Sequence, residues 1–125
     1  MSDFLENFKN DLKENVKGFI AVSVTEVETG MSYCSLSLNP DFDPELASAY
    51  NLEVVKAKLS AIKALGLDQK INDILITLTD QIHIIDVAED GKYFIYLAVD
   101  ATKANLGLTR ATLSKFKKDI ISNLS

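Results

Sequence analysis

By type, the side chains best suited to chemistry in this sequence are one histidine, one cysteine and one alternating run of carboxylates. A transition-metal site draws on His and Cys in clusters, and His83 has no such neighbour, with Cys34 far off along the chain. A nucleophilic triad would have to be assembled in space around His83, and no nucleophile-elbow motif marks a serine for it. Cys34 lies in a stretch rich in Ser and Leu, where a thiol reads as a small buried hydrophobe. Asp41, Asp43 and Glu45 alternate as in a calcium loop, but the midway glycine and the closing glutamate of an EF-hand are missing. Carboxylates around Pro44 fit the start of a helix, where the dipole favours negative charge. Neither the glycine-rich dinucleotide fingerprint nor the Walker pattern occurs. These residues point to no catalytic group, no metal and no cofactor, and so to a binding module rather than an enzyme.

The elements that would carry such a module are legible in the spacing. Phe4, Phe8, Leu12 and Val16 recur every fourth residue with Leu5 beside them, which predicts an amphipathic helix from Asp3 to Val16, ended before Gly18. Phe19–Val27 is rich in Val, Ile, Phe and Thr and predicts a strand covered on both sides, with Ile20, Val22 and Val24 on one face. Glu28-Thr29-Gly30 is a hairpin loop and Met31–Leu38 the returning strand. After a loop from Asn39, Asp43 caps and Pro44 opens a long helix to about Leu65, ended by Gly66. Its apolar positions cover more than one narrow stripe, as a helix with a second contact requires. Strands follow over Ile71–Thr79, Ile82–Val87 and Tyr93–Val99, separated by Asp80-Gln81 and Ala88–Gly91. A last helix spans Ala104–Leu124, with Leu106, Leu113, Phe116, Ile120 and Leu124 on one face. The order α-β-β-α-β-β-β-α with short loops predicts an α+β fold: a five-stranded antiparallel sheet with helices on its faces.

With 125 residues, 47% of them hydrophobic and 25% charged, the chain reads as a single domain over 1–125. The net charge of −5 argues against a nucleic-acid partner. Residues 101–125 run the other way: Lys103, Arg110, Lys115, Lys117 and Lys118 stand against Asp119 alone. Lysines near a helix C-terminus are the expected reading of that run. A lone cysteine excludes an intramolecular disulfide and fits a reducing, cytoplasmic compartment. Met1–Val16 lacks the apolar run of a signal peptide, and no stretch is apolar for long enough to insert directly into a membrane.

The run Ala104-Asn105-Leu106-Gly107-Leu108-Thr109-Arg110 resembles the signature that opens the last helix in the Roadblock/dynein-light-chain family. The resemblance extends to the element order, to Gly18–Val22 as the first strand, to Leu65-Gly66-Leu67 at the end of the central helix and to Ile74–Thr79 as the third strand. Within the signature, Asn105 suits a helix cap and Gly107 a close approach of helix to sheet, so these residues read as structural. An arginine finger from Arg110 is conceivable, but early in a helix a salt bridge is the commoner role. The resemblance implies a profilin/longin-like sheet of the Roadblock type, of the bacterial or archaeal kind with a leading helix. It also implies a non-catalytic scaffold or regulator of a Ras-like small GTPase, self-associated as a homodimer. In that architecture the third strand pairs with its twin and the central helix packs on its counterpart, which places Ile74, Ile76, Leu78, Val54, Val55, Leu59 and Ile62 at the interface. The residues support this independently, since Ile74, Ile76 and Leu78 make an apolar strand with few edge defences. The alternative class is a type III-like secretion chaperone, which is also small, acidic and dimeric but binds an effector polypeptide. It fits the Ala104–Arg110 run less well.

Overall fold

Phe4, Leu5, Phe8 and Leu12 fall on one side of α1 (Ser2–Asn15), and Leu5, Phe8 and Leu12 are buried. In the computed structural model, which describes residues 2–124, Gly18 turns the chain out of this helix at φ +76°. A Cβ there would stand 3.0 Å from the Asp100 carbonyl oxygen, so the start of the first strand lies hard against the end of the last. The hairpin of β1 (Phe19–Glu26) and β2 (Ser32–Ser37) is closed by the Glu26 amide donating to the Met31 carbonyl at 2.8 Å. Then come α2 (Pro44–Ala64), β3 (Asp73–Thr77), β4 (Gln81–Val87), β5 (Tyr93–Asp100) and α3 (Leu106–Leu124). This is the order expected from the sequence.

The five strands form one sheet in the order β2-β1-β5-β4-β3, antiparallel throughout. β1 and β5 are central, and β2 and β3 are the edges. The two faces carry separate cores. Phe8 and Leu12 of α1 and Leu113 and Ile120 of α3 meet Val22, Val24, Ile84, Ile95 and Leu97 on one face. Leu52 and Val55 of α2 meet Ile85, Val87, Phe94, Tyr96 and Ala98 on the other. Burial on both faces explains why β5 reads as an almost unbroken apolar run instead of alternating.

Three expectations need correction. The pairing of β1 with β5 slips between Phe19 and Ala21, so Phe19 shares a face with Val22 and Val24 while Ile20 packs on the α2 side. A bulge inverts the alternation behind it, and composition carries no sign of one. β3 is shorter than Ile71–Thr79, because the Leu78 amide already turns to the Gln81 carbonyl at 2.8 Å. The C-terminal lysines do not sit in the last turn of α3, which holds no base; two of the bases there are held in ion pairs described below.

Candidate interaction surface

The α2 helix starts where Asp43 and Pro44 place it. The Asp43 carboxylate accepts the Glu45 and Leu46 amides at 3.0 and 3.1 Å, so the acidic run serves as a helix cap. The buried side of α2 is narrow: Ser48, Asn51, Leu52 and Val55, with the Ser48 hydroxyl bonded to that of Ser23 on β1. Beside it runs a second apolar stripe at helical spacing, made of Leu46, Tyr50, Val54, Ala57 and Ala61 and continued by Leu65. Leu46 is 56% exposed, Tyr50 73%, Val54 40% and Leu65 68%. A helix serving only its own sheet has no use for that second stripe.

β3 is the neighbouring edge. It pairs only with β4, so the backbone groups on its outer side have no partner strand within the chain. Its one charged residue is Asp73, at its start. Ile74, Ile76 and Leu59 form the half-buried rim of the α2-side core. Ile62 is also half-buried, and Leu78, just past the strand, is 46% exposed. Val55 is fully buried against its own sheet and offers a partner nothing, because it lies on the inner side of α2. Sequence reasoning grouped Val55 with the outward residues of α2 and left out Leu46, Tyr50 and Leu65, which the structure leaves in solvent. Laying the helix out at 100° per residue separates the two stripes and would have found them.

The signature residues do structural work. The Asn105 side chain accepts the Leu108 amide at 3.1 Å and its carbonyl accepts the Thr109 amide at 2.9 Å, capping α3. Ala104 and Leu106 pack on the α1/α3-side core, and Leu108 is exposed. Gly107 needs correction: a Cβ there would meet only the Asn105 Oδ1 at 3.9 Å, so no close approach to the sheet requires a glycine. Arg110 grips Asp73 through two bonds, Nε to Oδ2 at 2.7 Å and Nη2 to Oδ1 at 3.1 Å, which ties the start of β3 to α3. Behind it, Lys117 donates to the buried Asp86 of β4 at 2.9 Å. Burial pushes the Asp86 carboxyl up while Lys117 pulls it back. A groove of about 330 Å³ runs along this seam, between α3 at Ser114 and Lys117 and the approach to β3 at Lys70 and Asn72.

The side chains first considered for catalysis are occupied otherwise. Burial pushes the Cys34 thiol up to about 11, which favours the protonated thiol over the nucleophilic thiolate at neutral pH. His83 accepts or donates one bond at each ring nitrogen, to the Tyr96 hydroxyl at 3.1 Å and to Gln81 Oε1 at 2.8 Å. Among the described residues no three or more His, Cys, Asp or Glu side chains gather as they would around a metal ion. No helix among them is long and apolar enough to cross a membrane.

No family model and no curated protein matches the sequence. The architecture does match solved structures. A Roadblock/LC7 domain from Streptomyces avermitilis superposes with a TM-score of 0.79 at 13% identity, covering 92% of this chain and 92% of that one. MglB of Myxococcus xanthus gives 0.73 at 13% identity, over 91% of this chain and 85% of the other. An MglB solved with a tetrameric arrangement gives 0.76 at 15% identity, over 95% and 85%. The chain has the Roadblock/LC7 fold.

Proposed function

We propose that this protein is a non-catalytic scaffold or regulator of a Ras-like small GTPase, acting in the cytoplasm as a homodimer. The observation that carries the reading is the pairing of two unfinished surfaces on this fold: the exposed stripe of α2 and the open edge of β3. A two-fold axis beside β3 would cover both at once, joining the two β3 strands into one ten-stranded sheet and burying Leu46, Tyr50 and Val54 against their copies. The tetrameric arrangement of a structural neighbour supports self-assembly through this fold. The GTPase follows from the resemblance of Ala104–Arg110, and the fold shared with the Roadblock/LC7 domain agrees with that family reading. The mechanism would be to hold one conformation of the GTPase switch region and so shift its population.

Affinity capture from the native host, followed by sedimentation of the purified chain, tests the reading. A dimer at micromolar concentration that retains a small GTPase is the expected result. Capture of a secreted effector polypeptide in place of a GTPase would move the protein to the secretion chaperones. A monomer at every concentration would remove the interface.

A further inference from the structure

The α2-side core contains one polar assembly that neither the fold nor the proposed scaffold role accounts for. His83 lies on β4 opposite Ile76 of the β3 edge. Its ring meets Tyr96 of β5 edge-on at 5.3 Å between centroids, and Phe42, from the segment that leads into α2, at 6.0 Å. Phe42 in turn stacks on Tyr96 at 6.4 Å. One histidine thus joins the edge pair of strands, the sheet centre and the approach to α2. The hydrogen bonds set its tautomer. Gln81 Oε1 can only accept, so Nε2 carries the proton, and Nδ1 accepts from the Tyr96 hydroxyl.

We propose that His83 is a proton-operated latch: neutral, it holds the Phe42 segment and the start of α2 on the sheet beside the β3 edge, and protonated it releases them. A proton arriving at Nδ1 faces the Tyr96 oxygen, whose own hydrogen must then turn away. The polar side chain beside that hydroxyl is Asn51 of α2, so the rearrangement passes into the helix that carries the exposed stripe. No charge compensates the imidazolium. Gln81 faces it from β4, Tyr96 from β5, Ile76 from β3 and Phe42 from the loop, while Asp43, next in the chain after Phe42, has its carboxylate on the first amides of α2. Burial alone acts on the ring and holds it below its ordinary value of 6.5.

The consequence for self-association rests on the proposed dimer; the latch itself does not. The full chain is titrated by NMR from about pH 8 to about pH 5, reading the rings of His83, Phe42 and Tyr96, with sedimentation of the same samples. His83 is expected to titrate below the ordinary histidine value, with Phe42 and Tyr96 moving at the same midpoint. H83Q is expected to abolish both ring movements, and Y96F to raise the His83 midpoint by removing the donor to Nδ1. In the wild type, the dimer dissociation constant is expected to rise by at least about threefold across that midpoint, and to stay level in H83Q. An ordinary midpoint with Phe42 unmoved, or the same movements in H83Q, overturns the latch. A pH-independent dimer alongside moving rings overturns its coupling to assembly. A monomer throughout fails the dimer reading, and the ring titration then decides the latch alone.

Discussion

Asp86 and Lys117 show how a single residue's worth depends on its partner. Asp86 is buried and Lys117 largely so, and each is tolerable there because of the other. Asp86→Ala leaves an ammonium without its carboxylate and is expected to cost about 3 kcal/mol in urea unfolding. Asp86→Leu combined with Lys117→Met removes both charges and is expected to fall much closer to wild type. Equal losses in the two variants would mean that packing, not charge, dominates the site. His83 gives the corresponding pH dependence. Its folded-state pKa lies below 6.5, so the unfolded chain takes up the proton first. Stability is therefore full above pH 6.5 and falls as the solution is acidified through the folded value. The wild-type melting temperature should fall through that acid window, and H83Q, whatever its melting temperature at about pH 8, should lack that fall. Neither residue's role was legible in the sequence. Asp86 and Lys117 lie on separate elements, and His83 meets Tyr96 only because β4 and β5 pair in their observed register.

Elements were far more legible, because periodicity and capping are local. Asp43 and Pro44 begin α2 where expected, and Asn105 caps an α3 that begins at Leu106, two residues after Ala104. Replacing Asn105 by Ala is expected to cost about 1 kcal/mol, read as a lower urea midpoint with unchanged slope. The error at this scale was one of facing. Counting the apolar residues of α2 revealed a surplus but did not divide it into an inner and an outer stripe, and so Val55 was grouped with Val54. Tyr50 tests the division. It is 73% exposed, so Tyr50→Glu should leave the monomer's circular dichroism intact while weakening self-association by about tenfold or more. Unfolding by that substitution would place Tyr50 in the core and contradict the two-stripe description. Ile76→Lys is a less clean probe, because Ile76 already belongs to the rim of the α2-side core.

For the whole molecule, the expectation is that stability and assembly are linked. A homodimer that covers α2 and β3 melts at a higher temperature as protein concentration rises, whereas a monomer does not. Differential scanning calorimetry at two concentrations an order of magnitude apart separates the two. GTP or GDP alone should leave the melting temperature unchanged, since the chain has no glycine-rich phosphate loop and the proposed role places the nucleotide on the partner. A clear shift with nucleotide would argue for a site of its own and against the scaffold reading.

Taken by itself, the sequence determined the class of fold, the order of eight elements, the caps of α2 and α3 and the absence of a familiar catalytic or phosphate-binding motif. Those properties come from short-range rules: the spacing of apolar side chains, the conformational freedom of glycine and the chemistry of a helix start. Tertiary structure decided which strands became edges, which stripe of α2 stayed in solvent, that Arg110 would hold Asp73 and that His83 would join three elements. These depend on sheet order and register, and one bulge in β1 was enough to exchange the faces of its first residues. Such long-range pairings are set by how the elements close over two cores at once, which no local window contains.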